Sequence, residues 1–264
     1  MLTVRSERVR LARKLRRRAA REKAQIFLVE GPQAVREAIA KPDLLIEVFA
    51  TAEAASQNAD LFDEVPAPVR LADADALGSL SETVTPQGVV AVCRLVTVSL
   101  SAALGSAPRL VAVLVDTRDP GNAGTIIRCA DAAGADAVIL AGDSVDPHGG
   151  KCVRATAGSL FHLPIVTGVD AVEVIEAARQ RGLTVLAADG GAETDVDEAA
   201  DTGVLAAPTA WLFGNEARGL PDVVVKSADQ AVRVPIHGQA ESLNLATATA
   251  ICLYASARAH RRTP

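Results

Sequence analysis

The chain is poor in aromatic residues, which make up 3% of its 264 residues, although hydrophobic residues make up 49%. Its hydrophobic cores must therefore be built from Val, Leu, Ile and Ala, and the length allows one large domain or two modest ones. No uninterrupted apolar run reaches about 18 residues, so we expect no membrane-spanning helix. No apolar segment follows the arginine-rich start, so we expect no secretory signal.

Cysteine and histidine are also scarce, with four residues of each. The cysteines form no C-x-x-C pair and most lie in apolar stretches, so we expect small buried side chains in a reduced, cytoplasmic protein. The histidines show no spacing typical of metal ligands, and we expect no metal. We interpret His148, in D-P-H-G-G-K, as a loop residue.

Charge is distributed unevenly along the chain. Residues 1–23 contain ten Lys or Arg and two Glu, a net charge of +8, so the remainder carries −13 of the total of −5. A basic arm on an acidic body favours a polyanionic partner, and a solvated helix face is the alternative. The arm also contains a partial apolar stripe, which predicts a docked helix with a basic outer face. The stripe consists of Val4, Val9, Leu11, Ala12 and Leu15.

Strand-like apolar runs alternate with helical stretches in two blocks. The first block, residues 1–98, has four such runs and predicts a small α/β domain. Residues 99–108, S-L-S-A-A-L-G-S-A-P, are small and turn-rich and are interpreted as a linker. The second block, residues 109–264, has six such runs with helices between most of them. This pattern predicts a mostly parallel sheet that is covered on both faces and binds ligands beyond the carboxyl ends of its strands.

A polar segment at 116–128, D-T-R-D-P-G-N-A-G-T-I-I-R, follows the first strand of the second block. The Pro-Gly pair predicts a turn, and Asn122 is a candidate cap for the helix after it. A glycine-containing turn at a helix N-terminus suits phosphate. The segment lacks the G-x-G-x-x-G spacing of dinucleotide-binding folds. For Arg128, an ion pair with Asp131 is the alternative to a functional role.

The segment at 146–154, D-P-H-G-G-K-C-V-R, follows another strand. It puts Lys151 and Arg154 in the first turns of a helix, where cations oppose the helix dipole. We therefore expect an anion to lie beside them.

The most informative part of the chain runs from Trp211 to Ala250. In W-L-F-G-N-E-A-R-G-L-P and P-I-H-G-Q-A-E-S-L-N-L, an apolar run breaks at Gly into polar residues, and the second break leads into a long apolar helix. Two such breaks present backbone groups beside Glu216, Ser242 and Asn244, an arrangement that can hold a small polar cofactor. Helix capping is the alternative role for Ser242 or Asn244.

Four segments together resemble the SpoU-type ribose 2′-O-methyltransferases of the SPOUT superfamily, which methylate RNA. Three of them are N-A-G-T-I-I-R-C-A-D-A-A-G-A, L-F-G-N-E-A-R-G-L and V-P-I-H-G-Q-A-E-S-L-N-L-A-T-A. The fourth is Arg5–Ile39, especially F-L-V-E-G-P, which is similar to a substrate-binding domain often found before the catalytic one. The resemblance implies a trefoil-knotted α/β catalytic domain over 109–264 and a smaller α/β domain like ribosomal protein L30e over 1–98. A polar loop at His237 and Gln239–Glu241 departs from the family pattern.

The resemblance also implies a cofactor, S-adenosyl-L-methionine, and a homodimer that methylates structured RNA, with ribosomal RNA favoured and tRNA as the alternative. The residues expected to bind the cofactor are Leu212, Gly214, Val234, Ile236 and Leu243. Those that match the family's catalytic site are Asn122, Arg128, Glu216, Ser242 and Asn244. Those expected to contact RNA are Arg5, Arg8, Arg13, Arg16, Arg17, Lys151 and Arg154.

Arg128 is given the central role among these residues. A guanidinium stays protonated at ordinary pH and is a poor base, so we expect it to contact the RNA phosphate and the developing alkoxide. Glu216 would orient Arg128 or the cofactor, and Asn244 would position the ribose. Two other functions stay open: a non-catalytic RNA-binding assembly protein of the same fold and, more remotely, an NAD-dependent oxidoreductase.

Overall fold

The structure is a computed structural model in which the described residues form two compact units. The first unit takes in Met1–Val96 and Asp146–His162. The second takes in Thr97–Val145 and the described residues from Leu163 onward. The described parts of the chain are residues 1–63, 65–105 and 107–262, and Glu64, Ser106, Thr263 and Pro264 lie outside them.

The first unit is built on a four-stranded sheet. Its strands are β1 (Ile26–Glu30), β2 (Leu45–Ala50), β3 (Val69–Leu71) and β4 (Val89–Arg94). They lie in the order β1-β4-β2-β3, with β4 antiparallel to both of its neighbours and β3 parallel to β2. The helices are α1 (Glu7–Lys14), α2 (Arg18–Ala24), α3 (Pro32–Ile39), α4 (Ala52–Gln57), α5 (Ala59–Phe62), α6 (Ala74–Leu80) and α9 (Gly150–Thr156). The four strands follow the four apolar runs of the sequence.

The basic N-terminal segment forms two helices, α1 and α2, where the sequence predicts one. Val9, Ala12 and Leu15 are buried in the core of the first unit, which accounts for the predicted docking of this segment. The chain turns after α1 at Leu15, so the apolar periodicity does not continue into α2. Leu11 is 52% exposed, and its place in the predicted stripe was wrong.

A buried ionic network joins α2 to the turn before α9. Arg21 donates to Asp146 Oδ2 through Nη2 at 2.6 Å and Nε at 2.9 Å, and its Nη1 donates to the Leu15 carbonyl at 2.7 Å. Asp146 Oδ1 accepts the His148 backbone N–H at 2.9 Å and lies 3.2 Å from His148 Nδ1. Because His148 Nε2 accepts the Val96 N–H at 3.2 Å, the ring proton belongs on Nδ1, where it is donated to Asp146.

The charge of Asp146 is stabilised by these contacts. Burial opposes ionisation, but hydrogen bonds from His148 and Arg21 outweigh it and hold the pKa of the carboxyl well below its usual range. His148 lies in a turn, as predicted for a loop residue, but it is buried and both ring nitrogens are engaged. The network ties residues 146–162 into the first unit, although the sequence assigns them to the C-terminal domain.

The second unit is built on a six-stranded sheet in which every strand pair is parallel. Its strands are β5 (Leu110–Val115), β6 (Ala137–Ala141), β7 (Ile165–Val169), β8 (Thr184–Ala188), β9 (Thr209–Phe213) and β10 (Gln230–Val232). Their order is β10-β8-β9-β5-β6-β7. Every residue of β5, β6 and β9 is buried, as expected for a parallel sheet covered on both faces. The predicted α/β class is confirmed, while the knot stays a prediction.

Four helices of this unit lie between its strands along the chain, one precedes β5 and one follows β10. They are α7 (Leu100–Ala103), α8 (Pro120–Ala133), α10 (Ala171–Gln180), α11 (Val196–Asp201), α12 (Asp222–Ser227) and α13 (Leu245–Arg262). Trp211 of β9 is fully buried, and its Nε1 donates to Ser256 Oγ of α13 at 2.9 Å, which fastens α13 to the sheet. Among the described residues no helix combines the length and apolarity needed to cross a bilayer.

Helix α7 lies within residues 99–108, the segment predicted to be a linker. Ser99 caps it by accepting the Ala102 N–H at 3.3 Å, and Ala103 and Leu104 are buried in the core of the second unit. The small residues that suggest a flexible segment thus form a capped turn of helix whose end is part of the core. That 1–98 and 109–264 are separate folding units stays a prediction.

Candidate active site

A cavity of about 650 Å³ lies beyond the carboxyl ends of β8, β9 and β10. Such edges are where open parallel sheets bind ligands, and the volume lies within the usual range of small-molecule sites, roughly 300–1,000 Å³. The wall is formed mainly by residues that directly follow the three strands and by the segment before α13. These residues are 188–190, 213–217, 219, 232–234, 236 and 241–245, together with Asn122 and Ala248.

Three of the predicted catalytic residues form one hydrogen-bonded chain in this wall, the amide network. Asn122 Nδ2 donates to Glu216 Oε1 at 3.0 Å, and Asn244 Nδ2 donates to Asn122 Oδ1 at 3.0 Å. Asn244 Oδ1 also accepts the N–H groups of Ala246 at 2.9 Å and Thr247 at 3.3 Å, so this residue caps α13 as well. Asn244 therefore both caps α13 and lines the first cavity, although the sequence offers capping and a site role as alternatives.

The cap of α8 is Asp119, and the prediction that Asn122 caps this helix was wrong. Asp119 Oδ1 accepts the Asn122 N–H at 2.8 Å, and Pro120 occupies the first helical position. Proline is favoured at this position because its missing N–H would have no helical partner there, which moves the cap to the preceding residue. The Asn122 amide is consequently free to bridge Glu216 and Asn244.

A second cavity, of about 920 Å³, shares part of this wall. Asn122 and Glu216 line both cavities, so the amide network lies at their common boundary. Asn215 closes the turn that carries Glu216. Its N–H donates to the Gly219 carbonyl at 3.0 Å, and its Nδ2 donates to the Asp116 carbonyl at 2.8 Å. The lining residues of the second cavity are Asp116, Arg118, Asp119, Asn122, Asn215, Glu216, Ala217, Arg218, Gly219 and Pro221.

Gly214 is required for this turn to fold back on the strand. A Cβ atom at this position would overlap the backbone of Gly219 and Leu220, which cannot move aside as the end of a flexible side chain could. The absence of a side chain therefore serves close backbone packing at the strand end, and it leaves the Gly214 backbone on the cavity wall.

Four of the five predicted cofactor-binding residues line the first cavity. They are Gly214, Val234, Ile236 and Leu243. Ile236 and Leu243 are 40% and 37% exposed, unusual for large apolar side chains, and both face the cavity edge. Leu212 is not brought to the cavity, because it lies inside β9 and is buried in the core.

The backbone around these residues is open to a ligand. In the described chain, no N–H group from residue 234 to residue 243 donates to another protein group. Backbone donors need a partner, from water or from a bound molecule. This segment therefore offers backbone hydrogen bonds beside two exposed apolar side chains, a surface suited to an apolar ring with polar edges.

Ser242 also lines the first cavity, whereas Arg128 lines neither. Arg128 is exposed on α8, six residues after Asn122. The fold thus gathers the predicted catalytic residues except this arginine, which lies on the outer surface of the helix that carries Asn122.

Residues 109–254 match the sequence pattern of the SpoU rRNA Methylase family, which covers more than half of the chain. Residues 6–91 match the MRM3-like substrate binding domain. The chain belongs to the SpoU rRNA methylase family. The family inferred from the four sequence segments is thereby confirmed.

Proteins similar to this SpoU methylase over almost its whole length include one curated relative and two solved structures. The 23S rRNA (guanosine(2553)-2′-O)-methyltransferase RlmP of Bacillus subtilis is 33% identical over 254 residues, covering 96% of each chain. The SpoU methyltransferase AviRb of Streptomyces viridochromogenes, in complex with AdoMet, is 30% identical with a TM-score of 0.84, covering 98% of this chain and 99% of that one. An AdoMet-bound rRNA methyltransferase of Sinorhizobium meliloti is 28% identical with a TM-score of 0.82, covering 98% and 97%.

Three of the arginines predicted to contact RNA, Arg8, Arg16 and Arg154, are already paired within the first unit of the SpoU methylase. Arg8 Nη1 lies 3.0 Å from Glu47 Oε2, and Arg154 Nη1 lies 3.1 Å from Glu30 Oε2. The anion expected beside Arg154 is thus supplied by the protein itself. Arg5 and Lys151 are exposed.

Other basic residues of the arm line a cavity of about 570 Å³, the basic groove. It is formed by Arg10, Arg13, Lys14, Arg16, Arg17 and Glu82. Arg16 Nε lies 3.8 Å from Glu82 Oε1, but the other four cations form no ion pair with any described residue. The groove therefore gathers four cations of the arm that have no ion-pair partner among the described residues.

Several residues of the first cavity lie outside the set predicted from the sequence. Asp189 and Gly190 directly follow β8, and Glu241 precedes Ser242. The signal for Asp189 was present, since A-A-D-G-G has the pattern of an apolar strand that breaks into polar and glycine residues. This pattern belongs to none of the segments that carry the family resemblance.

Proposed function

We propose that the protein transfers a methyl group from S-adenosyl-L-methionine to a ribose 2′-hydroxyl of ribosomal RNA. The observation that carries this proposal is the amide network of Asn122, Glu216 and Asn244 at the boundary of two cavities, in a chain of the SpoU rRNA methylase family. The similarity to RlmP of Bacillus subtilis, named for 23S rRNA, favours ribosomal RNA over tRNA.

The first cavity fits the cofactor. The exposed side chains of Ile236 and Leu243 suit the faces of the adenine ring, and the backbone groups of Gly214 and Val234 suit its polar edge. When bound, the cofactor supplies a methyl group activated by a sulfonium. The protein's own contribution is therefore alignment of the two reactants rather than activation of the methyl donor.

The second cavity is proposed to receive the target nucleotide. Arg218 lines it and suits a phosphate that flanks the ribose, whereas Arg118 also lines it but is paired with Asp143 at 2.7 Å. Asn122 and Glu216 face this cavity from the boundary with the first cavity. Glu216 Oε1 accepts from Asn122, so its other carboxylate oxygen can accept the hydrogen bond of the ribose hydroxyl. Asn244 holds Asn122 in this orientation, and Ser242 offers a further hydroxyl to the cavity.

We also propose the homodimer that the family resemblance implies. Helix α13 exposes Ile251 at 38% and Tyr254 at 52%, three residues apart on one face. An exposed apolar stripe of this kind on a helix that borders the site supports contact with a second copy.

The enzymatic proposal is tested with purified protein, 23S rRNA and S-adenosyl-L-methionine. We expect calorimetry to show binding of S-adenosylhomocysteine, and ribose-methylation mapping of the rRNA to show a new 2′-O-methyl group after incubation. RNA binding without cofactor binding would instead favour the non-catalytic assembly protein. NAD serves as the control ligand, and binding of NAD in place of S-adenosylhomocysteine would favour the oxidoreductase.

The basic groove is proposed to hold the RNA backbone. Replacing Arg10, Arg13, Lys14 and Arg17 together by Gln should weaken RNA binding uniformly and reduce the slope of log affinity against log salt by about 3, since each lost phosphate contact contributes roughly 0.7 to 0.9. Fluorescence anisotropy with an rRNA fragment between about 50 and 200 mM salt measures this slope.

Arg8→Gln is the matched control for the basic groove. Arg8 lies on the same helix, α1, and is exposed, but it is paired with Glu47. We expect the control to leave the salt slope close to that of the unaltered protein. A fourfold variant that keeps the full slope would show that the groove is only a solvated helix face.

A further inference from the structure

Asp189 is the carboxylate that directly follows β8, and the roles proposed above do not use it. It lines the first cavity together with Ala188, Gly190 and Val234. Its position corresponds to the carboxyl end of a parallel strand, where acidic residues of nucleotide-binding sheets accept hydrogen bonds from ribose hydroxyls.

The Asp189 side chain is held in place and only partly used. Its backbone N–H donates to the Val232 carbonyl at 3.1 Å, which continues the pairing of β8 with β10. Oδ1 accepts the Gly191 N–H at 3.0 Å, while Oδ2 accepts no hydrogen bond from the described residues. A carboxylate oriented through one oxygen therefore offers its other oxygen to a donor in the cavity.

Arg233 fastens the loop that carries Asp189. Its Nη1 donates to the Ala192 carbonyl at 2.7 Å, its N–H donates to the Thr194 carbonyl at 3.0 Å, and its own carbonyl accepts the Val196 N–H at 2.9 Å. Three bonds from one residue to three points between 192 and 196 leave the loop little freedom. A rigid loop favours ligand binding by the Asp189 carboxylate, because little conformational entropy is lost when the ligand binds.

The space beside the carboxylate is open. A Cβ atom added to Gly190 would meet no atom within 4 Å, and Gly190 itself lines the cavity. The space over Gly190 is therefore available to a sugar ring beside the Asp189 carboxylate, in a cavity that Ile236 and Leu243 also line.

We propose that Asp189 binds the ribose hydroxyls of S-adenosyl-L-methionine and that Arg233 positions the Asp189 loop. This inference rests on the proposed function, since it concerns the same cofactor. A carboxylate accepting from neighbouring hydroxyls selects a ribonucleoside and orients the cofactor about its sugar, which leaves the amide network to meet the methyl group.

The test is calorimetry with two ligands, S-adenosylhomocysteine and 5′-methylthioadenosine, which has the ribose but not the amino acid part. Asp189→Asn should weaken both by the same factor, about 10- to 100-fold, as expected for loss of a hydrogen bond to a charged group. Asp189→Ser, which keeps an acceptor for the Gly191 N–H, should show the same loss. Melting temperatures of the variants separate a binding effect from a folding effect.

Glu193→Gln is the matched control, because Glu193 is an exposed carboxylate of the same loop that does not line the cavity. It should bind both ligands as the unaltered protein does. If Asp189→Asn lowered the affinity for S-adenosylhomocysteine only, Asp189 would bind the ammonium group. If the affinity for both ligands were unchanged, Asp189 would bind neither the ribose nor the amino acid part. Each result would overturn the inference. If the unaltered protein bound neither ligand, the proposed function would fail together with it.

Discussion

Arg128→Ala is expected to lower the rate of methyl transfer by about 10²- to 10³-fold, the usual cost of removing a group that stabilises transition-state charge. Affinity for S-adenosylhomocysteine should stay within about twofold, since surface substitutions away from a site change free energies by no more than roughly 0.5 kcal/mol. The two effects separate because Arg128 does not line the cavity proposed for the cofactor.

The reason for the rate effect is the charge that develops on the ribose oxygen. As the hydroxyl gives up its proton and attacks, negative charge accumulates on its oxygen. Arg128 lines neither cavity, so this role requires the RNA to run from the second cavity along the exposed face of α8, where the guanidinium reaches the flanking phosphate and stabilises that charge without accepting the proton. Arg128→Lys keeps the charge but not the planar fork, so it should restore only part of the rate. Single-turnover assays at saturating cofactor measure this step.

Arg181→Ala is the control for the Arg128 substitution. Arg181 is exposed directly after α10 and lines neither cavity. It should leave both rate and affinity unchanged. Equal losses of transfer and cofactor binding in Arg128→Ala would contradict the assignment and give this arginine a role in holding the cofactor site together.

The strands could be predicted from the sequence because their signal is local. Runs such as Leu110–Val115 are apolar throughout, since both faces of a parallel sheet are covered. The polar residues that follow these runs meet at one edge of the sheet for the same reason. Glu216 and Asn244 could therefore be assigned to one site from their positions after strand ends.

The features that could not be predicted depend on contacts between residues distant in sequence, or on two residues that compete for the same role. Asn122 is a good capping residue, but Pro120 at the first helical position gives that role to Asp119. Leu212 lies in the right segment, yet it is two residues before Gly214 and its side chain is in the core. No local sequence pattern distinguishes a residue that lines the cavity from a neighbouring strand residue whose side chain lies in the core.

The grouping of residues 146–162 with the first unit is the clearest case of a non-local cause. Arg21 and Asp146 are 125 residues apart and look like ordinary surface charges in the sequence. Their contact is decided by the packing of the first unit, which buries both side chains. Its energetic importance can be measured directly.

Asp146→Asn is expected to lower the free energy of unfolding by about 3 to 5 kcal/mol, the usual cost of removing one partner of a buried ion pair. The substitution leaves Arg21, a residue 6% exposed, without a countercharge in this network. The single amide oxygen of Asn also cannot accept from Arg21 and His148 together, as the two carboxylate oxygens of Asp146 do. The substitution removes the charged acceptor of the His148 ring as well. Hydrogen exchange should show the loss as lower protection of the amides of α2 and α9.

The effect should depend on pH in a defined direction. Because the folded-state pKa of Asp146 is held below the unfolded value of 3.8, its ionised form stabilises the fold above pH 3.8. That contribution is lost as the pH falls below 3.8 through the lowered folded-state pKa. The difference in stability between the unaltered protein and Asp146→Asn should therefore be full near neutral pH and shrink in acid.

Asp60→Asn provides the comparison that isolates burial. Asp60 pairs with Arg36 at 2.7 Å, also within the first unit, but both side chains are largely exposed, at 70% and 48%. Water solvates these charges when the pair is broken, so the substitution should leave the unfolding midpoint nearly unchanged. If Asp146→Asn cost no more than Asp60→Asn, the buried pair could not be what holds residues 146–162 in the first unit, and the apolar packing of α9 against β1 would have to do so.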